Sequence, residues 1–334
     1  MNKKLVYFFY LVILILFCSN VSQPGIYNAG GTAFTMLFPQ DSLTYKKVQM
    51  QEEAIYIQLY KGFAVVKGKY KMVNRTSEKL NFTMGYPING IYNGGEGDLN
   101  QVQLDSLYKF KINANGKELS INEMQIGDSG HARTFQNENW LTWKINFKPA
   151  ESKEIEVYFL VNTNDGGITK GYSHEQKNAF IYLLESGSVW KQPIEDGKFI
   201  IELKDGLKVE DIAGISSHFD FQVNEKENIL IGSKTNFSPT PNDNLIVTYG
   251  ETISNFDFTF FLEQSDTLFE KIEIFSKQDD QGILHSFEAK NPYEVKTDFW
   301  SFLPGLIIFL GIAAPFLIIS IIVFIVVKLV RKRK

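Results

Sequence analysis

Ala54-Ile-Tyr-Ile-Gln-Leu-Tyr60 and Phe63-Ala-Val-Val-Lys-Gly-Lys-Tyr-Lys-Met-Val73 decide how this chain folds. Apolar and polar residues alternate along both, the period of a strand with one face on a core. Their β-branched and aromatic residues fit a pleated, half-buried surface. The same pattern recurs outward from this pair in Val48 to Met50, Leu80 to Tyr86, Tyr108 to Ile112, Trp140 to Phe147 and Ile155 to Val161. The breaks between them are turn formers: Asn93-Gly-Gly95, Asn115-Gly116 and Asn164-Asp-Gly-Gly167. Strands joined without helices between them predict antiparallel sheets folded as a β-sandwich.

A glycine-containing break from Asp165 to Tyr172 separates this series from a second. The second comprises Ala179 to Leu184, Lys198 to Leu203, Phe219 to Val223, Leu245 to Tyr249 and Phe256 to Leu262, punctuated by Gly197, Asp205-Gly206 and Pro239-Thr-Pro241. The expected organisation is a first β-sandwich unit over 23–165, a second β unit over 166–263 and a membrane-proximal connector over 264–300. Ser265 to Phe275 would be a short amphipathic helix in that connector. Periodicity leaves open whether the two β units share a core.

The two ends read differently. From Phe302 to Val327 the chain carries no charge, longer than the roughly 20 apolar residues that cross a bilayer as a helix. A transmembrane helix over 301–327 is therefore expected, with Phe299 and Trp300 at its outer interface and Pro315 bending it. Asp298 precedes the span, whereas Lys328, Arg331, Lys332, Arg333 and Lys334 follow it, so 328–334 is expected in the cytoplasm and the bulk of the chain outside. At the other end Lys3 and Lys4 precede an apolar run, Leu5 to Phe17, and a polar exit, the plan of a signal peptide over 1–22. Phe17 is too bulky before Cys18 for the lipoprotein alternative. Leu303-Pro304-Gly305 has Leu306 and Ile307 where a sortase signal needs Thr and Gly, so an uncut anchor is expected.

The formal net charge is −4, but without the seven basic residues of the two ends 27 basic residues face 38 acidic ones, a charge near −11. Such a surface excludes nucleic acid as a partner. Cys18 is the only cysteine, so after processing no disulfide or thiolate metal site remains, a usage that favours a bacterial envelope over an animal cell surface. The partners expected are the lipid bilayer, through 301–327, and a protein or polymer of the envelope.

Candidate chemistry is sparse. Gly127-Asp-Ser-Gly130 resembles the loop around a protease serine, yet neither His131 nor His174, His218 or His285 lies in a partner motif, and a polar turn is the simpler reading. His174-Glu175 lacks the second histidine of a zinc-protease helix. Glu96, Asp98 and Asp165 are weak calcium candidates in loops that fit no EF-hand. No catalytic residue, metal ligand set or cofactor follows. Trp143 and Trp190 are candidates for a ligand-stacking platform, though tryptophans among strands usually fill a core.

Met50 to Asn74 with Tyr86-Pro87, Trp143 to Phe147 with Pro149-Ala150, Tyr182-Leu-Leu-Glu-Ser-Gly187 with Trp190, Pro193 and Ile194, and Phe237-Ser-Pro-Thr240 running into Leu245-Ile-Val247 resemble, in order, an exported bacterial family catalogued as domain-of-unknown-function family 4424. The resemblance implies export and carries over no catalytic residue. The C-terminal span departs from the family pattern. Together these readings predict an anchored, non-catalytic β ectodomain that binds or scaffolds. The alternatives are an envelope hydrolase using Ser129 or a carboxylate pair formed only in the fold, and a sensor or assembly factor acting through the short tail.

Overall fold

The computed structural model describes residues 25–27, 31–32, 42–87, 90–93, 101–104, 109–119, 125–127, 140–164, 166–170, 173–215, 218–278, 282–296 and 303–332. The signal peptide, Cys18, Phe299, Trp300 and the Gly127-to-Gly130 loop beyond Gly127 lie outside them. The fold class read from the sequence is borne out: several β-sheets and one C-terminal apolar helix.

The alternating runs become long strands. β1 (Val48–Tyr60) and β2 (Phe63–Asn74) pair antiparallel along their whole length. β3 (Leu80–Pro87) leaves this sheet, β4 (Phe110–Ala114) returns to it, β5 (Trp140–Phe147) pairs with β3, and β6 (Ser152–Asn162) pairs with both β2 and β4. In the second half β7 (Ser173–Tyr182), β8 (Ile194–Leu203), β9 (Ile212–Ile215), β10 (Asp220–Asn224), β11 (Ile229–Phe237) and β12 (Leu245–Tyr249) follow.

These halves are not separate sheets. One nine-stranded sheet runs β10-β11-β8-β1-β2-β6-β4, with the short strands His285–Ser286 and Lys117–Glu118 at its edges. Its centre is β8 lying parallel to β1, with Ile201 beside Ile57 and Gly197 beside Glu53. The two strand series thus share one sheet and one core. The purely antiparallel pairing expected from the turns is corrected here, where the pairing joins strands far apart in sequence and so leaves no local turn signal, and again where Gly31–Thr32 pairs parallel with β7.

A second sheet, with β7 paired to β12 and β9 beyond β12, covers one face of the first. Ile55, Ile57, Val66, Val157, Phe159, Phe199 and Ile201 point into the layer between them, and Phe180, Tyr182, Val247 and Tyr249 close it from the other side. Tyr249 ties the layers together by donating its hydroxyl to the Tyr60 carbonyl at 2.9 Å, beside the Thr163 hydroxyl at 2.5 Å. Burial raises the Tyr249 phenol well above its ordinary value, so it stays a donor.

The opposite face of the large sheet is covered by helices. Phe256 to Leu262, expected as a strand, instead forms helix α1 (Phe258–Leu262), because Asp257 caps it by accepting from the Thr259 amide at 3.0 Å. Helix α2 (Ser265–Ser276) is the amphipathic segment expected in the connector. It is no connector, because Leu268, Phe269, Ile272 and Phe275 are buried against Tyr60, Val65, Tyr158, Leu160 and Ile200 of the sheet. Each buried side chain of this size contributes about 1.5–3 kcal/mol, enough to hold a three-turn helix on the domain.

α3 (Leu303–Lys332) belongs to a second compact unit. Its segment Gly305–Ile325, 21 residues of mean hydropathy 3.0, is long and apolar enough to cross a membrane, and none of it is buried. Pro315 lies within it, as expected.

Candidate functional site

The most perturbed acid among the described residues stands at the centre of the sandwich. Glu53 follows the inward phase of Ile55, Ile57 and Leu59, so β1 delivers its carboxyl to the core, where it is 4% exposed. Its register partner on β2 is Tyr70, and Tyr182 reaches it from the last position of β7. The two phenols meet at 2.5 Å, and the Tyr182 hydroxyl donates to Glu53 Oε1 at 3.2 Å. With Tyr182 donating to the acid, Tyr70 must donate to Tyr182, which fixes the chain of bonds as Tyr70 to Tyr182 to Glu53. Among the described residues Glu53 Oε2 has no hydrogen-bond partner.

Burial pushes the Glu53 pKa up to about 8, outweighing the lowering effect of Tyr182. At neutral pH the group is mostly a neutral acid, the form that costs least in an apolar layer. The space for Tyr70 is made by Gly68. A Cβ there would lie 2.3 Å from the Tyr70 hydroxyl and 2.7 Å from the ring. This explains a glycine in the middle of a buried strand.

Three of the four segments that carry the family resemblance converge beside this chain of bonds. Tyr182 begins the segment that runs into a 3-10 turn, Leu184–Val189, and Trp190. Gln49 on β1 donates to the Pro193 carbonyl at 2.6 Å, and the Lys191 amide donates to the Val48 carbonyl at 2.8 Å. Ile194 then pairs with Phe237. Gly187 packs toward Pro239 and Ile194, where a Cβ would sit 3.3 and 3.4 Å away. Asn244, 2% exposed, closes the corner: its Oδ1 accepts from the Glu185 amide at 3.0 Å and its Nδ2 donates to Glu185 Oε1 at 3.2 Å.

Trp190 is 1% and Trp143 5% exposed. The Trp190 ring meets Tyr45 edge-on at 5.3 Å and leans on Phe82 at 6.1 Å, so its faces are occupied by the core. Trp143 sits on β5 opposite Met84 of β3. Glu96, Asp98 and Asp165, with Ser129 and His131, lie outside the described residues. Asn164, next to Asp165, spends its side chain on Ile253, accepting from its amide at 2.8 Å and donating to its carbonyl at 3.1 Å. His174, His218 and His285 are exposed. Among the described residues no cluster of three His, Cys, Asp or Glu side chains could hold a metal ion.

A second polar cluster lies on the helix-covered face. Lys67, with a side chain 3% exposed, bonds Glu273 of α2 at 2.5 Å, Glu156 of β6 at 2.8 Å and Ser276 Oγ at 3.0 Å. Tyr158 donates to the same Glu273 oxygen at 2.6 Å. Burial alone would raise the Glu273 pKa, but the bonds from Lys277, Lys67 and Tyr158 outweigh it and hold the group at about 2. Neither cluster was read from the sequence. The signal for Glu53 is its phase, an acid on the apolar side of a strand.

Fold and site define a β-sandwich protein with a buried acid–phenol chain at its centre and an apolar helix at its C-terminal end. Within it, residues 40–127 match the family described as "Domain of unknown function (DUF4424)", which bears out the resemblance over the segment that supplies Glu53, Gly68 and Tyr70. No curated protein matches the chain in sequence. Among solved structures it is similar to a proposed nutrient binding protein from Legionella pneumophila, at 14% identity and a TM-score of 0.46 over 68% of this chain and 72% of that one. It is also similar to an M1 zinc metallopeptidase from Deinococcus radiodurans, at 11% identity and a TM-score of 0.31, over 61% of this chain and 42% of that one. The aminopeptidase A of Legionella pneumophila matches at 11% identity and a TM-score of 0.29, over 60% of this chain and 21% of that one. Likenesses this distant carry no functional argument.

Proposed function

We propose that this is a single-pass membrane protein of the bacterial envelope. In this reading its β-sandwich stands outside the cytoplasm and binds or scaffolds a protein or envelope polymer without catalysing a reaction. The observation that carries the reading is α3, whose Gly305–Ile325 segment leaves Ile307, Leu310, Leu317 and Phe324 exposed among the described residues. Hydrocarbon is the solvent that suits such a surface, because a helix satisfies its own backbone bonds there. Basic residues follow the helix and an acid precedes it, which supports a cytoplasmic C-terminus. The non-catalytic part rests on the central acid, which is sealed from solvent and engaged in holding the two sheets together.

Protease added outside intact cells, or outside spheroplasts where an outer membrane shields the protein, is expected to digest the sandwich. It should leave a fragment of about 4 kDa containing helix and tail. A sandwich protected until the membrane is dissolved overturns the orientation. A chain released from membranes by salt alone overturns the anchor.

A further inference from the structure

α1 and the loop that leads into it carry an aromatic surface that the β unit leaves uncovered. Ile253 is 37% and Phe260 57% exposed, and Phe256, Phe258, Phe261 and Leu262 are only half-buried beside them. The rings support one another: Phe260 meets Phe261 edge-on at 5.3 Å, and Phe261 stacks on Phe63 at 4.1 Å. The loop is also held in place. Asn164 clasps Ile253 through both backbone groups, and the Phe256 ring lies where a Cβ on Gly62 would be, 2.7 Å away. An exposed phenylalanine on a fixed support is costly in water and needs an apolar or amphipathic neighbour.

The course of the chain says what that neighbour is. Two successive residues of β7 bind the carbonyls at the start of this loop and at the end of the unit: Asn178 donates to Glu251 at 2.9 Å, and Lys177 donates to Glu294 at 3.4 Å. The aromatic loop and the exit of the chain therefore share one end of the sandwich. From Glu294, the last residue of this unit, the roughly eleven residue steps to Gly305 reach at most about 40 Å. Any bilayer that takes up the helix lies within that reach of Glu294, where the chain leaves this unit. Asp257 and Glu263 flank the rings and disfavour an anionic surface, while aromatic rings suit the interfacial layer of a neutral one.

We propose that the Ile253–Leu262 segment, a loop and the helix α1 that follows it, is a lipid-contacting surface, with Phe260 and Ile253 entering the headgroup layer of a zwitterionic membrane. The contact would orient the sandwich on the membrane rather than let it swing on its tether. The inference rests on the anchored reading above, and its test separates the two.

Cys18→Ser in the full chain frees the protein of its one thiol. Single cysteines are then introduced as Phe260→Cys, Ile318→Cys and Lys117→Cys and spin-labelled. Each variant is placed, one copy per disc, in phosphatidylcholine nanodiscs, and collisions with oxygen and with a water-soluble nickel chelate are compared. The label at 318 reports the helix, and the label at 117, on an exposed edge strand, reports water. The expected result is an oxygen-to-nickel collision ratio at 260 several-fold above that at 117. A ratio at 260 equal to that at 117, with 318 in lipid, overturns the inference and leaves the anchor standing. A label at 260 shielded from both reagents also overturns it, since protein then covers the rings. An aqueous signal at 318 overturns the anchor itself, and this inference with it.

Discussion

Lys67 Nζ lies 2.5 Å from Glu273 Oε2, and this contact fixes the last helix of the sandwich to the middle of its largest sheet. The two residues are far apart in sequence, one on the second strand and the other on α2. Around them Glu156 and Ser276 take up the remaining ammonium donors, so a lysine with a 3% exposed side chain is fully satisfied.

Removing that ammonium leaves Glu156 and Glu273 as two half-desolvated carboxylates beside Tyr158. Lys67→Met is therefore expected to cost about 3 kcal/mol, read by urea unfolding of the full chain in nanodiscs. The double variant Lys67→Met/Glu273→Gln should recover part of the loss, because one stranded charge disappears with its partner. A single-variant cost within error of zero would show that α2 is held by its apolar face alone.

The two perturbed acids make opposite demands on pH. Glu53 has a folded pKa of about 8 against 4.5 unfolded. As pH rises from about 4.5 to 8 the unfolded chain gives up a proton that the folded chain keeps, and stability falls by up to about 5 kcal/mol. Glu273 has a folded pKa of about 2. As pH drops below about 4.5 the unfolded chain takes up a proton that the folded chain refuses, and stability falls again, by something on the order of 2 kcal/mol because the group is partly solvated. For these two groups stability peaks near the unfolded value. Glu53→Gln should flatten only the alkaline slope and Glu273→Gln only the acid slope; unchanged slopes would remove these residues from the account.

Much of this architecture is legible in the sequence because strands with one buried face must alternate. Ala54 to Val73 and Trp143 to Phe147 show that directly, while the unbroken apolar run of α3 marks a helix by its length. Three features escape local pattern for different reasons. The parallel pairing of β8 with β1 joins strands over 130 residues apart, and nothing within either strand names its partner. Phe256 to Leu262 has the composition of a strand, but one capping bond from Asp257 turns it into a helix. β11 goes unread because Gly232 and the polar Ser233-Lys-Thr-Asn236 interrupt its alternation, although Gly232 is where the Phe221 ring folds across the strand. The central site is hidden in plain alternation: Glu52-Glu53 looks like a solvated pair, and only counting by twos from Ile55 places Glu53 inside.

Asn244 tests the corner formed by the family segments. Asn244→Ala removes an acceptor from the Glu185 amide and a donor from its carboxylate and is expected to cost about 1–2 kcal/mol. Asn244→Asp keeps the acceptor but sets one carboxylate against another. It should therefore be the less stable of the two at neutral pH and regain stability when both acids are protonated. Equal stability of the two variants at every pH would mean that Glu185 turns to solvent once its partner is changed.

Gly68 gives the sharpest test of the acid–phenol chain. A methyl group there would sit 2.3 Å from the Tyr70 hydroxyl, 2.7 Å from the carbon bearing it and 2.9 Å from a neighbouring ring carbon. All three contacts are far inside van der Waals separation, and Gly68 lies between β1 and β6, so neither backbone can retreat without breaking a ladder. Gly68→Ala must displace the phenol, which breaks the Tyr70 bond to Tyr182. The expected cost is about 2–3 kcal/mol, from overpacking together with a lost buried hydrogen bond. Adding Tyr70→Phe should recover little of it, because two of the three close contacts are with ring carbons that phenylalanine retains. Full recovery in Gly68→Ala/Tyr70→Phe would show that the hydroxyl alone needs the glycine, and that the ring can shift within the sandwich while Tyr182 and Glu53 stay where they are.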